Sequence, residues 1–222
     1  MGSEEPEQPF PILDDHLHLD PDGDNVKAVK EFLKAGGTHI VMCYKPLRSF
    51  PITGMNSYKS AFEANYKVVE NVRETTDVKI FLSLGPYPVD LLRLSEKMPL
   101  NEARDILMAG MDLAAKYVEE GKTVALGEIG RPHFEVSSEI VEVSNEILEY
   151  GMGLARDLGC PVVLHTESST PEVCRDLAER ADKMGLKREK VIKHYSPPLV
   201  LEEENHGLFP SVLATENEDR GL

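Results

Sequence analysis

The chain of 222 residues has no run of about eighteen apolar residues, so it holds no segment able to cross a bilayer as a hydrophobic helix. Its opening, Met1-Gly2-Ser3-Glu4-Glu5-Pro6, lacks the basic and apolar regions of a secretory leader. Cysteine is scarce. Cys43, Cys160 and Cys174 are odd in number and form no CxxC pair, which leads us to expect reduced thiols in a cytoplasmic protein. Basic residues are also in deficit, 24 Lys and Arg against 39 Asp and Glu, for a net charge of −15. That balance suits poorly a protein gripping a phosphate backbone through many contacts, although a small basic patch in a cleft is compatible with it. Nucleic acid is therefore a disfavoured partner, and no membrane partner is expected. No linker, low-complexity tract or short-period repeat divides the sequence, so one domain over residues 1–222 is expected.

What is present is an alternation of strand-like and helix-like segments along nearly the whole chain. Strands are expected over 12–18, 39–43, 79–85, 123–128, 161–166, 191–194 and 208–214. Between them apolar residues recur at spacings of three and four. Val26, Val29, Phe32 and Leu33 form one such stripe, closed by Gly36-Gly37. Residues 101–120 and 138–158 form two more, the latter stopping at Gly159 before the apolar run Pro161-Val162-Val163-Leu164. Repeated strand–helix alternation argues for a parallel α/β sheet, open or closed into a barrel. No Gly-rich phosphate loop follows the first strand, which weakens the dinucleotide-binding form of the open sheet; Asp14-Asp15-His16-Leu17-His18 stands there instead.

Polar residues able to bind metal fall at the ends of four expected strands: His16 and His18 on the first, Glu128 on the fourth, His165 on the fifth and His194 on the sixth. In a parallel barrel those ends share one face, where such folds keep their active sites. Side chains alternate along a strand, so His16 and His18 are expected to point into the mouth together while Leu17 points outward. Imidazoles with one carboxylate suit Zn²⁺, with Mn²⁺, Ni²⁺, Fe²⁺ or Mg²⁺ as alternatives. Each residue taken singly has an ordinary structural reading; their coincidence at independently placed strand ends is what points to a metal centre.

Asp14-Asp15-His16-Leu17-His18-Leu19-Asp20 resembles the opening DxHxHL motif of the TatD-like branch of the amidohydrolase superfamily. Ala125-Leu126-Gly127-Glu128-Ile129-Gly130 resembles its GEIG motif, and Leu164-His165-Thr166 and Lys193-His194-Tyr195 resemble its two later histidine strands. The resemblance implies a TIM-type (β/α) barrel with one or two divalent metal ions at the mouth. His16, His18, Glu128, His165 and His194 are the implied ligands, with Glu128 acting in catalysis by holding the ions rather than as a base. It further implies hydrolysis of phosphoesters, including DNA; more distant relatives act on lactones, amides or phosphotriesters.

The chain departs from that pattern in ways that bear on substrate. Arg131-Pro132 follows the GEIG motif in place of Leu-Asp, and Glu167 stands where an arginine is usual. Lys45, Arg48 and Arg131 are the cations expected near the mouth, suited to a phosphate or carboxylate. His133 is a further candidate ligand or acid, while His39, His206 and Cys43 read as structural. The family also supplies an aspartate from an eighth strand, and seven strands account for this sequence. Glu216 or Asp219 would have to take that role, and the favoured expectation is that the sequence stops short at its C-terminal end. Three readings follow: a phosphoesterase or nuclease, a lactone or amide hydrolase of small molecules, and a metal-binding protein without turnover.

Overall fold

The computed structural model describes residues 10–213. Seven strands, β1 (Leu13–Leu17), β2 (His39–Cys43), β3 (Lys79–Leu84), β4 (Ala125–Gly130), β5 (Val162–His165), β6 (Val191–Ser196) and β7 (Phe209–Val212), lie in sequence order in one sheet. Every neighbouring pair is parallel. Parallel neighbours need long crossovers. These carry α1 (Asn25–Lys34), α2 (Ser57–Thr75), α3 (Asp90–Ser95), α4 (Leu100–Glu119), α5 (Ser138–Leu158), α6 (Pro171–Met184) and α7 (Glu202–Asn205).

The sheet curls into a nearly closed barrel, as expected for a TIM-type fold. Leu13, Val41, Ala125, Val163, Ile192 and Phe209 face one interior cavity of 590 Å³. β1 and β7 form no ladder with each other, but the Ser211 hydroxyl donates to the Asp15 carboxylate at 3.1 Å across the seam. The described residues thus contain seven strands. Ala214, Glu216 and Asp219 lie outside them.

β2 shows why these strands read as nearly continuous apolar runs. Ile40 and Met42 face the helices, while Val41 and Cys43 face the barrel interior, so both sides are buried. The large core between sheet and helices includes Leu82, Met111, Leu126, Ile129, Leu148, Met152 and Leu164. The inner core is small: Cys43, Ala125 and Val163. Helix ends set where the later strands begin. Ser137 caps α5 by accepting from the Ile140 amide, and Gly159, at φ 67°, ends it. Thr170 caps α6 with Pro171 in its first turn, and Gly185, at φ 72°, ends it. Such caps contribute about 1 kcal/mol each. Among the described residues no helix is long and apolar enough to cross a membrane.

Candidate metal centre

Three strands aim their polar residues by breaking strict alternation. In β1 the ladder slips between Asp14 and Leu17. Leu13 and Asp15 already face the interior, so without the slip His16 would point to the helices. The bulge turns His16 inward and sends Leu17 into the helix-side core. His18 stands one residue past β1, with its ring 4.9 Å from that of His16. In β4 a second slip lies between Gly127 and Ile129, turning Glu128 inward and Ile129 outward. β6 slips between Lys193 and Ser196, beside His194. Two glycines flanking Glu128 permit this path. A Cβ on Gly127 would lie 2.5 Å from that of Val163, and one on Gly130, at φ 141°, would lie 2.3 Å from the His165 carbonyl oxygen.

Glu128 is 2% exposed and sits at the centre of the cluster. Its Oε1 lies 2.8 Å from His16 Nε2 and 3.3 Å from His194 Nε2, and its Oε2 lies 3.6 Å from His165 Nδ1. His16, Glu128 and His194 offer ligand atoms all within 4.8 Å of one another. Yet His16 Nε2, Glu128 Oε1 and His165 Nδ1 are buried without a hydrogen-bond partner, so the 2.8 Å approach is close but misaligned. Buried polar atoms are rarely left in this state, and two of these, His16 Nε2 and Glu128 Oε1, belong to residues of the close cluster with His194. That donor set fits a divalent cation.

The electrostatics agree. Burial alone would raise the Glu128 carboxyl, but His16 and His165 beside it outweigh burial and hold it well below the usual carboxylate range. Burial pushes His194 down to about 3, with His16 stacked on it at 3.7 Å between ring centroids adding to the effect. Burial likewise lowers His18. The surroundings therefore favour an anionic Glu128 and neutral imidazoles at His18 and His194, the protonation states that ligation requires. Cys43 was expected as packing and is indeed fully buried, but it also touches His16 and His18. Its carbonyl accepts from His18 Nδ1 at 2.9 Å, and its sulfur lies 3.4 Å from His16 Nδ1. Each contact engages the nitrogen turned away from, or beside, the cluster, leaving Nε2 for an ion.

The expected cations are placed differently from one another. Lys45 is close enough to His18 for its charge to help lower that pKa. Arg48 instead lines a groove of 450 Å³ with Phe50, Asp90 and Arg93. Arg131 lines a groove beside His133 with its charge already paired. Its side chain is 8% exposed and is engaged by Glu167 at 2.7 and 3.1 Å, Asp176 at 2.6 Å and Asn145 at 3.1 Å. The unusual Glu167 is thus the partner of the unusual Arg131. His39 bonds Thr38 at the opposite end of the barrel, and His206 ends α7.

Two residues near the site had little or no signal in the sequence. His133 Nδ1 lies 2.8 Å from His165 Nε2, and the Tyr87 hydroxyl lies 3.3 Å from the same nitrogen. His133, His165, Ser168, His194 and Tyr195 line a cavity of 330 Å³ at the mouth. It adjoins a groove of 750 Å³ bounded by His133, Phe134 and Glu167.

Comparison with known proteins accords with this geometry. The chain is 38% identical over 214 residues to an uncharacterised protein of Methanocaldococcus jannaschii, covering 95% of this chain and 74% of that one. An uncharacterised amidohydrolase of Saccharomyces cerevisiae superposes with a TM-score of 0.54 at 18% identity, over 79% of this chain and 52% of that one. A phosphotriesterase homology protein of Escherichia coli, complexed with phosphate in its active site, superposes with a TM-score of 0.56 at 12% identity. That match covers 85% of this chain and 63% of the Escherichia coli one, so the chain spans roughly half to two-thirds of the length of these two structures. At such identities they speak for the fold. The TatD related DNase family matches residues 13–220, and the chain belongs to that family.

Proposed function

We propose that the chain is a hydrolase using one or two divalent ions held among His16, His18, Glu128, His165 and His194, acting on a small phosphoester. The observation that carries this reading is the clustering of His16, Glu128 and His194 ligand atoms within 4.8 Å of one another, with His16 Nε2 and Glu128 Oε1 buried and unpartnered. Zn²⁺ suits that nitrogen-rich set, and Mn²⁺, Ni²⁺, Fe²⁺ and Mg²⁺ are the alternatives. Held there, a divalent ion would supply Lewis acidity, activating water near neutral pH and polarising the scissile bond. Glu128 contributes negative charge to hold the ion, and Cys43 keeps the His16 and His18 imidazoles oriented. Lys45 is the cation placed to meet a phosphate oxygen. The 330 Å³ cavity matches a small substrate better than a duplex, in keeping with the net charge of −15. The buried free thiols of Cys43, Cys160 and Cys174 suit a reducing, cytoplasmic setting.

One observation favours a second reading, hydrolysis of a lactone or amide. Arg131 is neutralised by Glu167 and Asp176, which leaves the mouth less suited to a multiply charged phosphate. The test begins with elemental mass spectrometry of the purified protein and of the His16→Ala/His18→Ala variant. Nitrophenyl phosphates, DNA oligomers, lactones and amides are then assayed. One to two equivalents of metal, lost in the double variant, with turnover of the phosphates, is the expected result. Turnover confined to lactones or amides selects the second reading. Bound metal with no turnover of any substrate leaves a metal-binding protein, and no metal after soaking in zinc or manganese overturns the hydrolase reading.

A further inference from the structure

We infer that His133 sets the tautomer of His165, directing its Nδ1 lone pair at the candidate centre; as to its use, the inference rests on the metal reading above. The two nitrogens of His165 have unlike settings. Nδ1 is buried, faces Glu128 Oε2 at 3.6 Å and has no hydrogen-bond partner. Nε2 is 2.8 Å from His133 Nδ1. Two imidazole nitrogens that close share one proton, so one ring donates and the other accepts. If His133 donated, the His165 proton would sit on Nδ1, buried and beyond hydrogen-bond reach of its nearest carboxylate oxygen. If His165 donates, its proton has an acceptor 2.8 Å away, and the one group left without a partner is the Nδ1 lone pair, which an ion at the centre would satisfy. The Nε2 proton of His165 goes to His133 Nδ1, its Nδ1 lone pair faces the candidate centre, and the remaining N–H of His133, an exposed residue, meets water. Tyr87 cannot make this choice, because a hydroxyl 3.3 Å away can accept from or donate to Nε2 equally well. His133 is thus a positioning residue of the kind that orients an imidazole from its far side.

The test is a long-range proton–nitrogen correlation spectrum of the metal-stripped, histidine-labelled protein at pH 8, where an ordinary imidazole, of pKa about 6.5, is neutral. His165→Ala identifies the signals. The wild type is expected to show His165 protonated on Nε2. His133→Ala is expected to give a mixture of tautomers, and His133→Gln, whose amide oxygen can accept the same proton, to restore the wild-type pattern. An Nδ1-protonated His165 in the wild type, or an unchanged spectrum in His133→Ala, overturns the inference. Chelator competition adds a second arm. His133→Ala should weaken the metal equivalent that depends on His165 by about 10- to 100-fold, with recovery in His133→Gln. Equal loss in both variants makes His133 a ligand and overturns the positioning role. A wild type that binds no metal, yet keeps the His133-dependent tautomer, defeats the metal reading and leaves the assignment of His133 standing.

Discussion

Replacing Arg131 by methionine separates a structural latch from a substrate-binding cation. The guanidinium is 8% exposed and spans the loop after β4, the loop after β5, and helices α5 and α6 through Glu167, Asn145 and Asp176. Hydrogen bonds to charged groups are worth about 1.5–3 kcal/mol each. Glu167 and Asp176 remain 41% and 39% exposed and rehydrate when the arginine goes, so the sum must be discounted for solvent screening. Methionine keeps most of the apolar stem. A net loss of about 2–4 kcal/mol is the result, between the value of an exposed ion pair and that of a fully buried one. For a chain of this size it corresponds to a fall in Tm of about 4–16 °C. Urea unfolding should show a lower midpoint with an unchanged slope. Glu167→Gln leaves Arg131 paired with Asp176 and should cost about 0.5–1 kcal/mol. The ratio of turnover on anionic and neutral substrates should not move in either variant. A midpoint within about 0.5 kcal/mol of wild type, with selective loss of activity on anionic substrates, would refute the latch and return Arg131 to the substrate.

Gly130→Ala places a Cβ 2.3 Å from the His165 carbonyl oxygen at a positive φ, and should cost about 3–5 kcal/mol and abolish metal retention in any folded fraction; thermal unfolding and metal analysis check it, and full metal retention at wild-type stability contradicts it. In metal-free protein the neutral His194, pushed down to about 3 by burial, contributes stability that is present above the ordinary value of 6.5 and is lost as pH falls from there towards 3. The slope approaches about 1.4 kcal/mol per pH unit. Glu128, held below its ordinary value of 4.5, adds to the loss at lower pH. Asp90, raised to about 6 by burial, works oppositely and loses stability as pH rises from 3.8 to 6, so the comparison of wild type with His194→Asn isolates the histidine. An unaltered slope between pH 5 and 6.5, roughly the histidine window, would count against a neutral His194. A metal at one hundred times its Kd should stabilise the native state by about 2.7 kcal/mol, visible as a raised Tm that His16→Ala/His18→Ala lacks.

The alternation of strands and helices was legible because the central strands β4 and β5 are almost wholly buried and several helices end at or next to a glycine. β2 and α5 fall where their apolar patterns and stops put them, at His39–Cys43 and Ser138–Leu158. The strand-end placement of Glu128, His165 and His194 followed from those boundaries. The bulges did not. A period of two predicts that residues sharing parity share a face, yet Asp15 and His16 both face inward, because β1 slips between Asp14 and Leu17. The rule placed His16 and His18 together for a reason that holds only beyond the slip. The pairing of Arg131 was not legible because its partner Asp176 lies on α6, 45 residues away, and nothing local marks such a pairing. Tyr87 and His133 stand on loops, where direction depends on tertiary packing rather than on spacing.

Charge placement narrows what this mouth can accept. A surface of net charge −15 repels a polyanion at long range, yet screening confines that effect to about one Debye length, roughly 8 Å at physiological ionic strength. Local groups therefore decide the chemistry. Arg131 is consumed within its own latch, and Arg48 faces another groove. Lys193, the residue before His194, is buried with its ammonium donating to the His194 carbonyl at 2.7 Å, and burial pushes it down to about 8. Lys45 is left as the expected cation whose charge reaches the cluster. The negative charge of Glu128 is met only by histidines, and among the described residues no lysine or arginine touches it. A divalent ion held among His16, Glu128 and His194 would add positive charge beside that carboxylate. On the proposed hydrolase reading, a mouth with so few free cations would favour a substrate carrying one negative charge, or a polarisable neutral carbonyl, over one that brings several phosphates together.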